Sequence, residues 1–172
     1  MVEPTISQAP LKQHAKRRFF SLQHRRISDE VFTDTIIIKR GKLSIRGFKY
    51  AQLYVCSRSR MTKVYLMKSK DQALNSLLQF FTDVGIPDKI VYDGAREFSS
   101  QAWCQELAKR HVAWHQTEPY HQHKNQAEPR VRDIKMLALE ILSTSGASDN
   151  YWCYAIELAE DLLNFRAVES LS

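Results

Sequence analysis

Apolar positions along the chain change period twice, and the changes divide it into elements. From Val31 to Ile38 the run Val-Phe-Thr-Asp-Thr-Ile-Ile-Ile is β-branched and aromatic, which predicts a strand with one acid, Asp34, set inside it. Gly41 to Gly47 supplies a turn. Tyr50–Cys56 and Thr62–Met67 alternate apolar and polar residues on either side of Ser57-Arg58-Ser59-Arg60, so three sequential strands are expected as an antiparallel meander. The period then lengthens. Between Asp71 and Val84, residues Ala73, Leu74, Leu77, Leu78, Phe80, Phe81 and Val84 recur at helical spacing, and Gly85-Ile86-Pro87 ends the helix.

Strand and helix alternate in the second half. Lys89–Tyr92 is a short strand running into the turn Asp93-Gly94-Ala95. Ser99 to Arg110 is a helix with Trp103, Leu107 and Ala108 on its inner face, and Val112 to Gln116 is a fifth strand. Two helices follow, from about Glu128 to Ser143 and from Asp149 to about Arg166, separated by Ser145-Gly146-Ala147-Ser148. The order β-β-β-α-β-α-β-α-α predicts an α/β fold: a mixed five-stranded sheet, antiparallel in its first three strands and parallel in its second half, with helices on its faces.

Composition narrows the setting. The chain's 172 residues suit one domain with a real core, and residues 29–172 are expected to form it. No apolar run approaches the roughly 20 residues that span a bilayer, so no membrane embedding is expected. Cys56, Cys104 and Cys153 fit neither zinc nor disulfide spacing, which points to a reducing, intracellular setting. The formal net charge is +6 and the pI about 9.3, so attraction to a polyanion is permitted. Residues 1–28 are expected to be a basic leader. Lys12, Lys16, Arg17, Arg18, Arg25 and Arg26 lie there with no acid between Glu3 and Asp29, which suits either phosphate contact or a solvated tail.

Three acids stand out by position. Asp34 interrupts an apolar strand, where an unpaired charge would cost several kcal/mol; it needs a cation, a hydrogen-bonding partner or an outward-facing place. Asp93 follows a strand expected to be parallel, at the end where open α/β sheets place ligand-binding groups, although a turn aspartate would look the same. Glu128 opens a helix, where dipole and capping favour a carboxylate on their own account. As a set, two aspartates and a glutamate are the hard oxygen donors that suit Mg²⁺ or Mn²⁺. A pair of such ions, about 4 Å apart, can activate a hydroxyl nucleophile and stabilise the leaving oxygen of a phosphodiester.

The sequence then resembles a known family. Thr33-Asp34-Thr35, Ser44-Ile45-Arg46-Gly47 to Ala51-Gln52, Met67-Lys68-Ser69-Lys70, Asp83-Val84-Gly85-Ile86-Pro87, Tyr92-Asp93-Gly94-Ala95-Arg96-Glu97 and Thr117-Glu118-Pro119-Tyr120 to Asn125-Gln126-Ala127-Glu128 are similar to the catalytic core of retroviral and LTR-retrotransposon integrases, copia-type elements above all. The resemblance covers roughly residues 31 to 166. It implies an RNase H-like fold and a D,D,E triad of Asp34, Asp93 and Glu128 holding two Mg²⁺ or Mn²⁺ ions. It also implies an enzyme that trims element DNA ends and joins each 3′-hydroxyl to target DNA, working as a homo-oligomer, in the nucleus for the joining step. The interval from Asp93 to Glu128 is one residue shorter than the family's usual spacing, which loop slack can absorb.

Glu128, Arg132 and Lys135 follow i, i+4, i+7 on one helical face beside an apolar stripe of Val131, Ile134, Ala138 and Ile141. Arg132 and Lys135 are candidates for DNA phosphates; an Arg132–Glu128 surface pair is the simpler alternative. Lys135 matches a position where the family tends to place a DNA-contacting base. Lys124 and His123, in the preceding loop, are candidates for the DNA end.

Pro129 predicts a helix that begins with Pro129 at its first position and Glu128 as its cap. Were Glu128 tilted away, the chain would be a decayed integrase fragment that at most binds DNA. A related RNase H-like nuclease or transposase is the other alternative. No His-His-Cys-Cys module precedes Asp34 and no basic barrel follows Ser172, so a core apart from its usual flanking domains is expected.

Overall fold

The computed structural model describes residues 29–38, 43–93, 98, 100–117 and 127–165. Strands β1 (Glu30–Ile37), β2 (Tyr50–Cys56) and β3 (Thr62–Met67) come first. Helix α1 (Ala73–Asp83), strand β4 (Lys89–Tyr92), helix α2 (Gln101–Lys109) and strand β5 (Ala113–Gln116) alternate after them, and helices α3 (Ala127–Ser145) and α4 (Trp152–Phe165) close the chain. Single 3₁₀ turns at Lys70–Gln72 and Asp149–Tyr151 lead into α1 and α4.

The five strands form one sheet in the order β3-β2-β1-β4-β5. β1 pairs antiparallel with β2 and β2 with β3, while β4 lies parallel to both β1 and β5. This is the mixed sheet expected from the sequence, flanked among the described residues by four helices. The leader at 1–28 and the ends of the chain lie outside the described residues.

Pleating assigns each strand residue to one of two cores. Phe32 and Ile36 of β1, Leu53 and Val55 of β2 and Val91 of β4 pack on Val131, Ile134 and Ala138 of α3 and Trp152, Ile156 and Leu163 of α4. On the other face Val31, Tyr54, Met67, Ile90 and Tyr92 meet Leu77 and Phe80 of α1 and Trp103 and Leu107 of α2. Ala108 differs from expectation: it is exposed, because the short α2 buries only Trp103 and Leu107. Ser100 caps α2 by accepting a hydrogen bond from Trp103 N. After α1 the chain turns through Gly85 at φ +117°, a conformation open to glycine and costly to other residues.

The sheet's two edges are treated differently. On β3, Thr62 N donates to Asn164 Oδ1 and Val64 N donates to Glu160 Oε2, both from α4. Side chains therefore stand in for a sixth strand. On β5 all four residues are exposed.

Candidate active site

β1 and β4 run parallel with Thr33 opposite Tyr92, so Asp34 and Asp93 follow that last paired row at the same level of the sheet. Strand alternation sends both toward the α3 face: Asp34 shares its side of β1 with Phe32 and Ile36, and Asp93 shares its side of β4 with Val91. α3 packs across β1 and β2 and carries Glu128 in its first turn. Asp34 is half-buried; Asp93 and Glu128 are exposed.

The electrostatics of Asp34 record this arrangement. Its carboxyl is pushed up from 3.8 to about 6, first by burial and then by the charge of Asp93, with Glu128 adding a smaller push in the same direction. The backbone amide of Thr35, which donates to Asp34 Oδ1 at 2.7 Å, and the charge of Lys135 act the other way. Two acids from two other elements thus bear on Asp34, with one lysine among them. Among the described residues, however, no three carboxylate, imidazole or thiol groups stand close enough to make a ready ligand set.

α3 corrects one expectation. It begins at Ala127, so Glu128 and Pro129 both lie inside its first turn instead of Glu128 serving as cap and Pro129 as first residue. The physical reason is that backbone donors of a first turn have no partner within the helix, so the missing N–H of proline costs little there. Arg132 and Lys135 share the exposed face of α3 with Glu128. Among the described residues no ion pair joins Arg132 to Glu128. His123 and Lys124 lie outside the described residues.

Three further residues lie near the site without having been assigned a role from the sequence, although Gln52 and Thr117 belong to the motifs quoted above. Arg130 donates from Nε to Thr62 Oγ1 at 2.9 Å and from Nη2 to the Arg60 carbonyl at 2.7 Å, tying the first turn of α3 to the β2–β3 hairpin. Nothing in the sequence separates it from its basic neighbours. Thr117 follows β5 at the level of Asp93, its N–H bonded to the Tyr92 carbonyl at 2.8 Å. Gln52 lies fully buried in β2. A polar residue inside an apolar run was its signal, the same one that marked Asp34.

No family model matches the chain. A curated relative is the Retrovirus-related Pol polyprotein from transposon RE2 of Arabidopsis thaliana, 27% identical over 132 residues. The match covers 71% of this chain, which spans only 9% of that polyprotein. Among solved structures, the HTLV-2 integrase catalytic core domain in complex with magnesium superposes with TM-scores of 0.66 in its trimeric form and 0.64 in its dimeric form. Both are 19% identical, over 83% of this chain and 89% and 90% of theirs. The simian T-cell lymphotropic virus intasome in complex with PP2A regulatory subunit B56 gamma gives 0.68 at 17% identity, over 95% of this chain and 66% of that one. The fold is that of the retroviral integrase catalytic cores on which the chain superposes, and the sequence similarity runs the same way, to the Pol polyprotein of a retrotransposon.

Proposed function

We propose that the chain is the catalytic domain of a retrotransposon integrase that processes DNA 3′ ends and joins them to target DNA. The observation that carries this reading is that Asp34 and Asp93 follow the last paired row of two adjacent parallel strands, with the charge of Glu128 from α3 bearing on Asp34 as well. A hard divalent cation brought among these oxygens would relieve their repulsion, which is why Asp34, Asp93 and Glu128 suit Mg²⁺ or Mn²⁺, one ion or two. Such ions supply Lewis acidity and lower the pKa of a bound water or hydroxyl.

The chain's own residues do the rest. Asp34 and Asp93, fixed at the ends of adjacent parallel strands, hold the centre, and Glu128 closes it from α3. Arg132 and Lys135, one and two turns further along the exposed face of α3, bind backbone phosphates and set the strand's path past the acids. In end processing, water attacks a phosphodiester and a 3′-hydroxyl leaves; in joining, that hydroxyl attacks a target phosphodiester and a new 3′-hydroxyl leaves, so phosphodiester bonds are conserved. His123 and Lys124 are proposed to meet the DNA end.

The solved HTLV-2 cores are dimeric or trimeric. On this chain Tyr154, Leu158, Leu162 and Phe165 form an exposed apolar stripe along α4, which supports self-association here too. The joining step would take place in the nucleus.

A strand-transfer assay with short duplex ends in Mn²⁺ tests the function. Joined products are expected, and Asp93→Asn should abolish them while leaving salt-dependent DNA binding largely intact. Cleavage without joining would point to a nuclease or transposase. DNA binding alone would point to a decayed copy.

A further inference from the structure

Gln52 sits directly across from Thr35 in the β1–β2 register and diagonally from Thr33, on the face of the sheet opposite Asp34. Its amide bridges the two threonines. Nε2 donates to Thr33 Oγ1 at 2.6 Å, Oε1 accepts from Thr35 Oγ1 at 2.9 Å, and Thr33 Oγ1 passes its own proton to the Leu53 carbonyl at 2.8 Å. Gln52 and Thr33 are fully buried, so these bonds form where no water competes. The donors and acceptors fit only one orientation of the amide, since the Thr33 hydroxyl spends its proton on Leu53 and the Thr35 hydroxyl spends its own on Gln52.

The place of this bridge matters more than its strength. Among the described residues, pairing of β1 with β4 ends at Thr33 and Tyr92, and Asp34 follows that last paired row. Thr35, the far anchor of the bridge, supplies the backbone N–H that holds Asp34 Oδ1 at 2.7 Å. A side chain that grips the residues before and after Asp34 therefore restrains the backbone on both sides of it.

We infer that Gln52 is a positioning residue for Asp34, acting through Thr33 and Thr35 from the opposite face of the sheet. This rests on the reading of Asp34 as a metal ligand for its functional consequence, and on the geometry alone for its structural one. Gln52 acts as a hydrogen bond to a metal-binding side chain does, aiming it, but transmits its hold through one residue of backbone on either side.

The experiment compares Gln52→Met with Tyr65→Phe in the whole chain. Tyr65 stands across from Gln52 in the β2–β3 register and on the same face, is buried as well, and loses its hydrogen bond to Asp83, outside the bridge, when its hydroxyl is removed. Mn²⁺ titration should show Gln52→Met weakening affinity by about tenfold while Tyr65→Phe binds as the parent does. In the metal-free protein, amide exchange at Thr35 should quicken by about tenfold relative to the amides of β4 in Gln52→Met alone. Equal Mn²⁺ affinity in the two variants, or Thr35 protection that falls no more than that of β4, overturns the inference. If the parent binds no Mn²⁺, the proposed function fails and the exchange comparison still decides the role of Gln52. Should Gln52→Met not fold, Thr35→Val removes one of the two bonds, and a change of about threefold in Thr35 exchange is expected; no change overturns the inference equally.

Discussion

Asn164 and Thr62 exchange two hydrogen bonds of 2.8 Å each, Thr62 N to Asn164 Oδ1 and Asn164 Nδ2 to the Thr62 carbonyl. A side-chain amide presents one donor and one acceptor at the spacing of a peptide group, so this single residue of α4 pairs with β3 as a strand would. Unpaired edges recruit other chains. Asn164→Ala should lower unfolding stability by about 1 kcal/mol and increase thioflavin-positive aggregation at equal fraction unfolded. Urea melts alongside dye kinetics check it; aggregation matching the parent's at equal stability would remove the edge-closing role.

Asp34 makes stability depend on pH in a chelator. An acid whose folded pKa lies above its unfolded one favours folding most while protonated, and that advantage is lost as pH rises from 3.8 through about 6. Asp34→Asn should therefore stabilise the metal-free protein by about 2 kcal/mol at pH 7.5, allowing for partial solvent screening, and hardly at all at pH 3.5. Denaturation with EDTA at the two values measures it. A variant less stable than the parent at pH 7.5 would mean that Asp34 is held by attraction and not by strain.

Lys135 and Arg132 differ from the acids in what their loss should do. Lys135→Ala should weaken DNA binding about equally for end-derived and unrelated duplexes and reduce the slope of log affinity against log salt by about 1. Fluorescence anisotropy across a salt series gives that slope. An unchanged slope would place Lys135 off the phosphate path and leave it as a counter-charge to Asp34 alone.

Self-association through α4 is open to a direct check. Phe165, at 88% exposure, and Leu158, at 46%, lie on the stripe's outer side. Leu158→Lys and Phe165→Lys together should shift the chain toward monomer in sedimentation velocity without lowering its monomer stability by more than about 0.5 kcal/mol, the usual limit for surface changes. Assembly that survives both changes would move the interface elsewhere.

How much of this was legible in the sequence follows from what each element asks of its neighbours. β1, β2 and β3 could be read because alternation is a local property, and the long helices because Val131, Ile134 and Ala138 repeat at the helical period. Asp34 showed itself as a charge in an apolar run. The start of α3 was misplaced by two residues because proline is tolerated anywhere in a first turn, which a rule naming only the first position does not capture. Ala108 was misassigned because helix period alone does not tell how wide a face its sheet will cover. Arg130 was illegible in principle: its partners, Thr62 and the Arg60 carbonyl, lie far back in the chain and are brought to it by tertiary packing.

α4 is two-sided. Its inner face holds Glu160 and Asn164 against β3, and its outer face carries Tyr154, Leu158, Leu162 and Phe165. A partner that docks on the outer face presses the inner one home, so assembly and the integrity of the sheet edge draw on one helix. Dilution should then loosen β3 before it touches β1, and the margin of the fold would report the crowding of its copies.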